Sequence, residues 1–186
     1  MVTHKIEQAR PHSRPRRREL PIRFGTRPST TSTAPHSQID QLPTRPLSSA
    51  LLERLARLPG VVHGPSRRAP QGTIGLHLQP DDAHRPDRAF LIDREFAHVH
   101  AHGDSSLHLI LPEPLRSEAI AAGWAEPHPM AGHPTVSPDT VMVYAPRDED
   151  ELDVVANLVT ASWRNARGND DGHSEQSRAE SCSGRT

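Results

Sequence analysis

The chain has 186 residues, of which only 33% are apolar and 3% aromatic, with 19 Pro; so few large apolar side chains build a core only if they are concentrated, and they gather between Leu47 and Trp163. The net charge of −1 supplies no global field toward nucleic acid or a membrane surface, and no run approaches the roughly 20 apolar residues of a membrane helix. The single cysteine, Cys182, excludes an internal disulfide, so a soluble protein of the reducing cytoplasm is expected.

Residues 1–19 are polar and basic, ending in Arg14-Pro15-Arg16-Arg17-Arg18, and read as a disordered basic arm. Without interleaved aromatics for base stacking, the arm reads as solvated. Residues 20–46, rich in Pro, Thr and Ser, form an extended arm. The domain proper is expected over 47–168. Its first helix is capped at Ser48 or Ser49, buries Leu51, Leu52, Leu55 and Leu58 on one face, and ends at Pro59-Gly60. Short strands are predicted over 61–62, 73–78, 89–92, 95–100 and 107–111, punctuated by Gly, Pro and Asp.

A Pro-Glu-Pro entry and Gly123 bracket a second helix carrying Leu115, Ala119 and Ala122. Residues 125–139 read as a loop leading to a strand at 141–144. The last helix starts at Pro146-Arg147-Asp148, places Leu152, Val155, Ala156, Val159, Trp163 and Ala166 at helical spacing, and stops at Gly168. Its acidic start and its Arg164 and Arg167 complement the helix dipole. Residues 169–186 are a polar, disordered tail. The expected fold is therefore α+β: a small antiparallel sheet with a histidine-bearing hairpin, packed by about three helices.

The concentrated chemical signal lies in 95–112. In a strand, His98 and His100 project from one face, and Gly103-Asp104 supplies a turn. An even hairpin register adds His108 to that face; an odd one removes it. Three readings stand. His98, His100 and His108 form a facial ligand set for zinc, iron or manganese, as in a cupin-like enzyme. Alternatively, they form a metal-free acid/base site with His128 or Arg147 stabilising an anion. In the third, they are sheet residues without a role, as His63, His77, His84 and His133 are when taken singly. Three buried imidazoles together demand partners, which favours function. Ser105 and Ser106 lack a nucleophile-elbow context, and Gly72-Thr73-Ile74-Gly75 is no phosphate loop, so nucleotide cofactors are not indicated.

The run Ala97-His98-Val99-His100, then Leu107-His108-Leu109, Gly123-Trp124, His128-Pro129-Met130-Ala131-Gly132 and Tyr144-Ala145-Pro146-Arg147-Asp148-Glu149 resembles the luciferase-domain family, which includes the fungal luciferases. Gly25-Thr26-Arg27-Pro28 is similar to the family's N-terminal arm, so the resemblance spans about residues 20–168. It implies a cofactor-independent oxygenase, with molecular oxygen as co-substrate and neither flavin nor nicotinamide, acting on a small electron-rich enol or hydroxypyrone-like substrate. On that basis His98, His100 and His108 are the catalytic bases, His128 and Arg147 hold negative charge, and Trp124 and Tyr144 line the substrate pocket. A second resemblance, to small proteins of the MmcQ/YjbR type, implies a non-catalytic binding module whose Arg14, Arg16, Arg17, Arg18, Arg67 and Arg68 would meet phosphates. The expected partner is a small molecule, with neither membrane nor nucleic acid.

Overall fold

The computed structural model describes residues 19–101 and 103–168; the arm before residue 19, the tail beyond 168 and Cys182 lie outside the described residues. Helix α1 spans Arg45–Leu55, α2 Leu115–Ala121 and α3 Glu149–Arg167, and the strands are β1 Val61–Pro65, β2 Ile74–Leu78, β3 Glu95–Val99, β4 Leu107–Ile110, β5 Ala125–Pro127 and β6 Thr140–Val143. The six strands form one antiparallel sheet in the order β1-β2-β3-β4-β6-β5. The fold is α+β, as the sequence predicts. Among the described residues no helix is long and apolar enough to cross a membrane.

Three local expectations are corrected. Helix α1 begins at Arg45, not after Ser48, with Pro46 in its first turn, where the absent N–H costs nothing. Leu47, Leu51 and Leu55, four residues apart, then form its buried stripe. Residues 89–92 form no strand: a 3-10 turn over Asp87–Ala89 leads to a single Ile92–Glu95 bridge, closed by Asp93 at φ 49°. Residues 125–127, taken as loop, are edge strand β5, a position that tolerates Pro127. Helix α3 agrees with its sequence signals: the Asp148 carboxylate accepts from Glu151 N at 2.8 Å and Gly168 takes the left-handed conformation.

The strand register separates two faces. Val99, Leu107, Val143 and Ala125 line up in one row and Ala97, Leu109 and Val141 in another; these side chains join the core with Leu51, Leu55, Leu152, Val155 and Val159 of α1 and α3. The intervening row on the opposite face runs Gly75, His98, His108, Met142, Glu126. The hairpin register is thus the even one, and His100 N continues the ladder by donating to Ser106 O at 2.9 Å. A bulge at Phe96, between the Leu76–Ala97 and His77–Glu95 pairs, adds one residue to β3. It turns Glu95 onto the face of His98, which regular alternation would forbid.

The arm before α1 covers this second face. Trp124 Nε1 donates to Pro21 O at 2.6 Å and Arg23 N to Ala122 O at 2.8 Å, while within the arm Ile39 N donates to Ser29 O at 2.8 Å. Ala145 N donates to the buried Gln38 Oε1 at 2.9 Å. The arm therefore packs on the sheet, and it carries His36 into the histidine row.

Candidate active site: a carboxylate-backed histidine cluster

Five imidazoles meet on the arm-covered face. His98 from β3 and His108 from β4 are cross-strand neighbours with ring centroids 5.1 Å apart. His100, just past β3, lies 4.6 Å from the His108 ring, as does His128, just past β5. His36 of the arm stacks on His108 at 5.3 Å. His98, His108 and His36 are almost wholly buried.

Three of these rings are held from behind by carboxylates. Glu95 Oε1 is 2.8 Å from His98 Nδ1, Asp104 Oδ2 is 2.8 Å from His100 Nδ1, and Glu126 Oε1 is 2.8 Å from His36 Nε2. The carboxylates are themselves fixed. Glu95 also accepts from Ser66 Oγ at 2.7 Å and Arg67 N at 3.0 Å, Asp104 from Ser106 N at 3.1 Å, and Glu126 from Tyr144 OH at 2.8 Å. Burial alone would raise each carboxyl's pKa, but the donors around it outweigh burial and hold all three below the ordinary value.

Ionised carboxylates only accept, so His98 and His100 carry their protons on Nδ1 and His36 on Nε2. Their remaining nitrogens point at His108: His98 Nε2 lies 3.1 Å and His100 Nε2 3.4 Å from His108 Nδ1, and His36 Nδ1 lies 3.2 Å from His108 Nε2. A neutral His108 has one N–H to serve both sides. Full hydrogen bonding requires one further positive charge at this point. Burial first, then the neighbouring imidazoles, push His108 well below the usual imidazole value; burial lowers His98 and takes His128 to about 4. His128 Nδ1 accepts from Met130 N at 3.1 Å, which places the proton of neutral His128 on Nε2.

The cluster forms one wall of a cavity of about 600 Å³, the size of small-molecule sites. Pro35, Leu91, Met130 and Val136 supply apolar walls, and Arg68 and His133 stand at the same cavity. The predicted set is thereby divided. His98, His100, His108 and His128 come together. Trp124, Tyr144 and Arg147 do not line this cavity: Trp124 and Arg147 border a separate depression with Pro21 and Phe24. There Arg147 is bonded to Glu151, to Phe24 O at 2.7 Å and to Gln41 Oε1 at 3.2 Å. It anchors the arm to α3. Tyr144 is buried behind Glu126. Arg67 is paired with Asp93 and Arg68 with the Leu91 and Thr135 carbonyls, so these two arginines are occupied within the fold.

Sequence reading missed His36, Glu95, Asp104 and Glu126 as members of the site. Asp104 was within reach of it, being a turn carboxylate four residues after His100; the others depend on the bulge, on the unexpected β5 and on the arm's path.

Residues 93–162 match the model of the luciferase domain. Over these residues the chain is similar to the luciferase-domain family. The luciferases of Armillaria ostoyae and Armillaria mellea are each 33% identical over 159 residues, and that of Neonothopanus nambi 34% over the same length, in each case covering 77% of this chain and 60% of the relative. The chain thus spans 60% of the length of these curated relatives. No solved structure matches it. The luciferase-domain match includes His98, His100, His108, His128 and the three backing carboxylates, whereas His36 comes from the arm before it.

Proposed function

We propose that the chain is a luciferase-like oxygenase that oxidises a small, electron-rich enol, of the hydroxypyrone kind, in the histidine-lined cavity. One observation carries the reading: nitrogens of carboxylate-backed imidazoles converge at a cavity wall with room for one more proton. Such a cluster removes an enolic proton, as general-base catalysis requires. The deprotonated carbon is electron-rich enough to form a C–O bond with dioxygen, which is reduced as the substrate is oxidised, so no external reductant enters. His128, its proton on Nε2, donates to the developing oxyanion, the part that the sequence assigned jointly to Arg147. The apolar walls suit a flat conjugated ring.

Oxygen uptake with a panel of hydroxypyrones and phenolic enols tests this. The wild-type protein should consume oxygen with at least one of them, and His100→Ala should reduce the rate by roughly 10²-fold or more with an unchanged circular dichroism spectrum. A folded His100→Ala protein with the wild-type rate would remove the assignment.

A further inference from the structure

The hydrogen-bond pattern around His108 specifies more than a base. When each proton is placed where an acceptor demands it, His98 Nδ1–H goes to Glu95 and His100 Nδ1–H to Asp104. His36 Nε2–H goes to Glu126, and His108 Nε2–H then goes to His36 Nδ1. Tyr144 closes the chain on the other Glu126 oxygen. Every one of these hydrogens has its acceptor, and what remains is three bare nitrogens facing one another: His98 Nε2, His100 Nε2 and His108 Nδ1. Lone pairs directed together at 3.1 and 3.4 Å repel unless something positive lies between them.

We propose that these three nitrogens are the ligands of a divalent first-row transition metal ion, zinc, cobalt or iron(II), bound at the cavity wall with its remaining coordination positions open to the cavity. The three nitrogens lie within 4.8 Å of one another. Metal–nitrogen bonds of about 2.0–2.1 Å at tetrahedral angles place ligand nitrogens roughly 3.3 Å apart, close to the two spacings to His108. Neutral imidazoles suit these ions rather than calcium or magnesium, which take oxygen. The backing is also that of a metal site, where a ligand histidine donates its other N–H to a carboxylate. His98 and His100 do so directly, and His108 does so through His36.

A second trio, His36, His108 and His128, is similarly close but does not offer three free lone pairs. His36 Nδ1 accepts from His108, and His128 Nδ1 accepts from Met130 N. The protons single out the first trio.

The inference goes beyond the oxygenase reading and does not rest on it, because it concerns a cation at the nitrogens and not the substrate. A metal ion and a substrate proton compete for the same nitrogens. The test therefore reads metal uptake. Full-length protein, stripped with a chelator, is titrated with cobalt(II) chloride and followed by visible absorption, with zinc content measured after dialysis. One equivalent of cobalt with the intense spectrum of a low-symmetry, nitrogen-ligated site is expected. His98→Ala and His100→Ala should abolish it, and the exposed His63→Ala should keep it. Glu95→Gln and Asp104→Asn, which leave all three ligands in place, should weaken binding by roughly 10–100-fold, and they serve if the alanine variants do not fold. Failure of folded wild-type protein to take up either ion overturns the proposal, as does uptake unchanged in all four cluster variants. Oxygen consumption by the stripped protein, measured in parallel, bears on the oxygenase reading alone.

Discussion

The two faces of the sheet are built from the same strands by opposite means. On the helix side, Leu76, Ala97, Val99, Leu107, Leu109, Val141 and Val143 are closed over by α1 and α3, and non-directional burial supplies the stability. On the arm side, His98, His108, Met142 and Glu126 occupy the intervening positions, and directed hydrogen bonds fix the imidazoles and their carboxylates. One face tolerates changes of shape-matched side chain. The other depends on which nitrogen holds which proton. The difference teaches where each kind of substitution should register, and the helix side offers the largest effect. Leu107→Ala removes a side chain with no exposed surface and should cost about 2–5 kcal/mol of unfolding free energy in urea, while the activity per folded molecule is retained. Loss of that activity in the folded fraction would mean that the faces are not independent.

The arm is attached by an ion cluster next in expected size. The buried Glu151 meets Arg23 at 3.2 Å and Arg147 at Nε, 2.8 Å away, while Arg147 also holds the arm carbonyl of Phe24. Glu151→Gln leaves two guanidinium groups without their counter-charge and should cost about 3 kcal/mol. It should also alter the acid profile. Burial would raise the Glu151 carboxyl, but the bonds from Arg147 and the charge of Arg23 hold it below its ordinary value of 4.5. A carboxyl depressed in the folded state contributes stability that is complete above the unfolded value and is lost as pH falls through the folded one. Wild-type unfolding free energy should therefore fall below about pH 4.5 more steeply than that of the variant. Parallel profiles for the two proteins would sink this account of the clamp.

The helix side was the legible one. Leu51 and Leu55 of α1 and the long amphipathic α3 follow from residue spacing, whereas Leu47 was missed with the helix start. The even register was one of two alternatives, and it is the one the fold adopts, pairing His98 with His108. The arm side was less legible because it is assembled from segments far apart in sequence. His36 and His108 are 72 positions apart, and His36 and Glu126 are 90; no periodicity links them. Phe96 as a bulge residue has no local signature, yet it decides that Glu95 backs His98. Arg147 and Trp124 carried recognisable family residues, and their positions were found without their role: both fasten the arm that delivers His36.

Glu95→Gln sharpens the contrast from the arm side at a smaller energy. The substitution keeps size and an acceptor oxygen but removes the charge that fixes the His98 proton on Nδ1. Its expected signature is a 10–100-fold fall in oxygen consumption with little change in urea midpoint, the reverse of Leu107→Ala. A stability loss as large as that of the leucine variant, with catalysis untouched, would assign Glu95 to the scaffold.

The smallest effect is expected at Tyr144, where the two means of construction meet. Its ring is buried in the fold and its hydroxyl donates to Glu126 Oε2 at 2.8 Å. Burial, then the Glu126 bond and charge, push the hydroxyl far above its ordinary pKa, so it acts as a donor only. Tyr144→Phe retains the packing and deletes that donor. Glu126 keeps its bond to His36 but loses one of the contacts that orient it, and the disturbance reaches His108 only through His36. A net hydrogen bond is worth about 1 kcal/mol, or roughly a fivefold change in rate, less than for Glu95→Gln because Tyr144 acts through Glu126 and not directly on a cavity-lining imidazole. The measurement is a pair: urea midpoint and oxygen uptake, compared with Glu126→Gln. If Tyr144 acts through the relay, both variants should move the rate in the same direction, with Glu126→Gln the larger. An effect of Tyr144→Phe on the rate exceeding that of Glu126→Gln would break the relay and place the tyrosine hydroxyl in contact with the chemistry by another route.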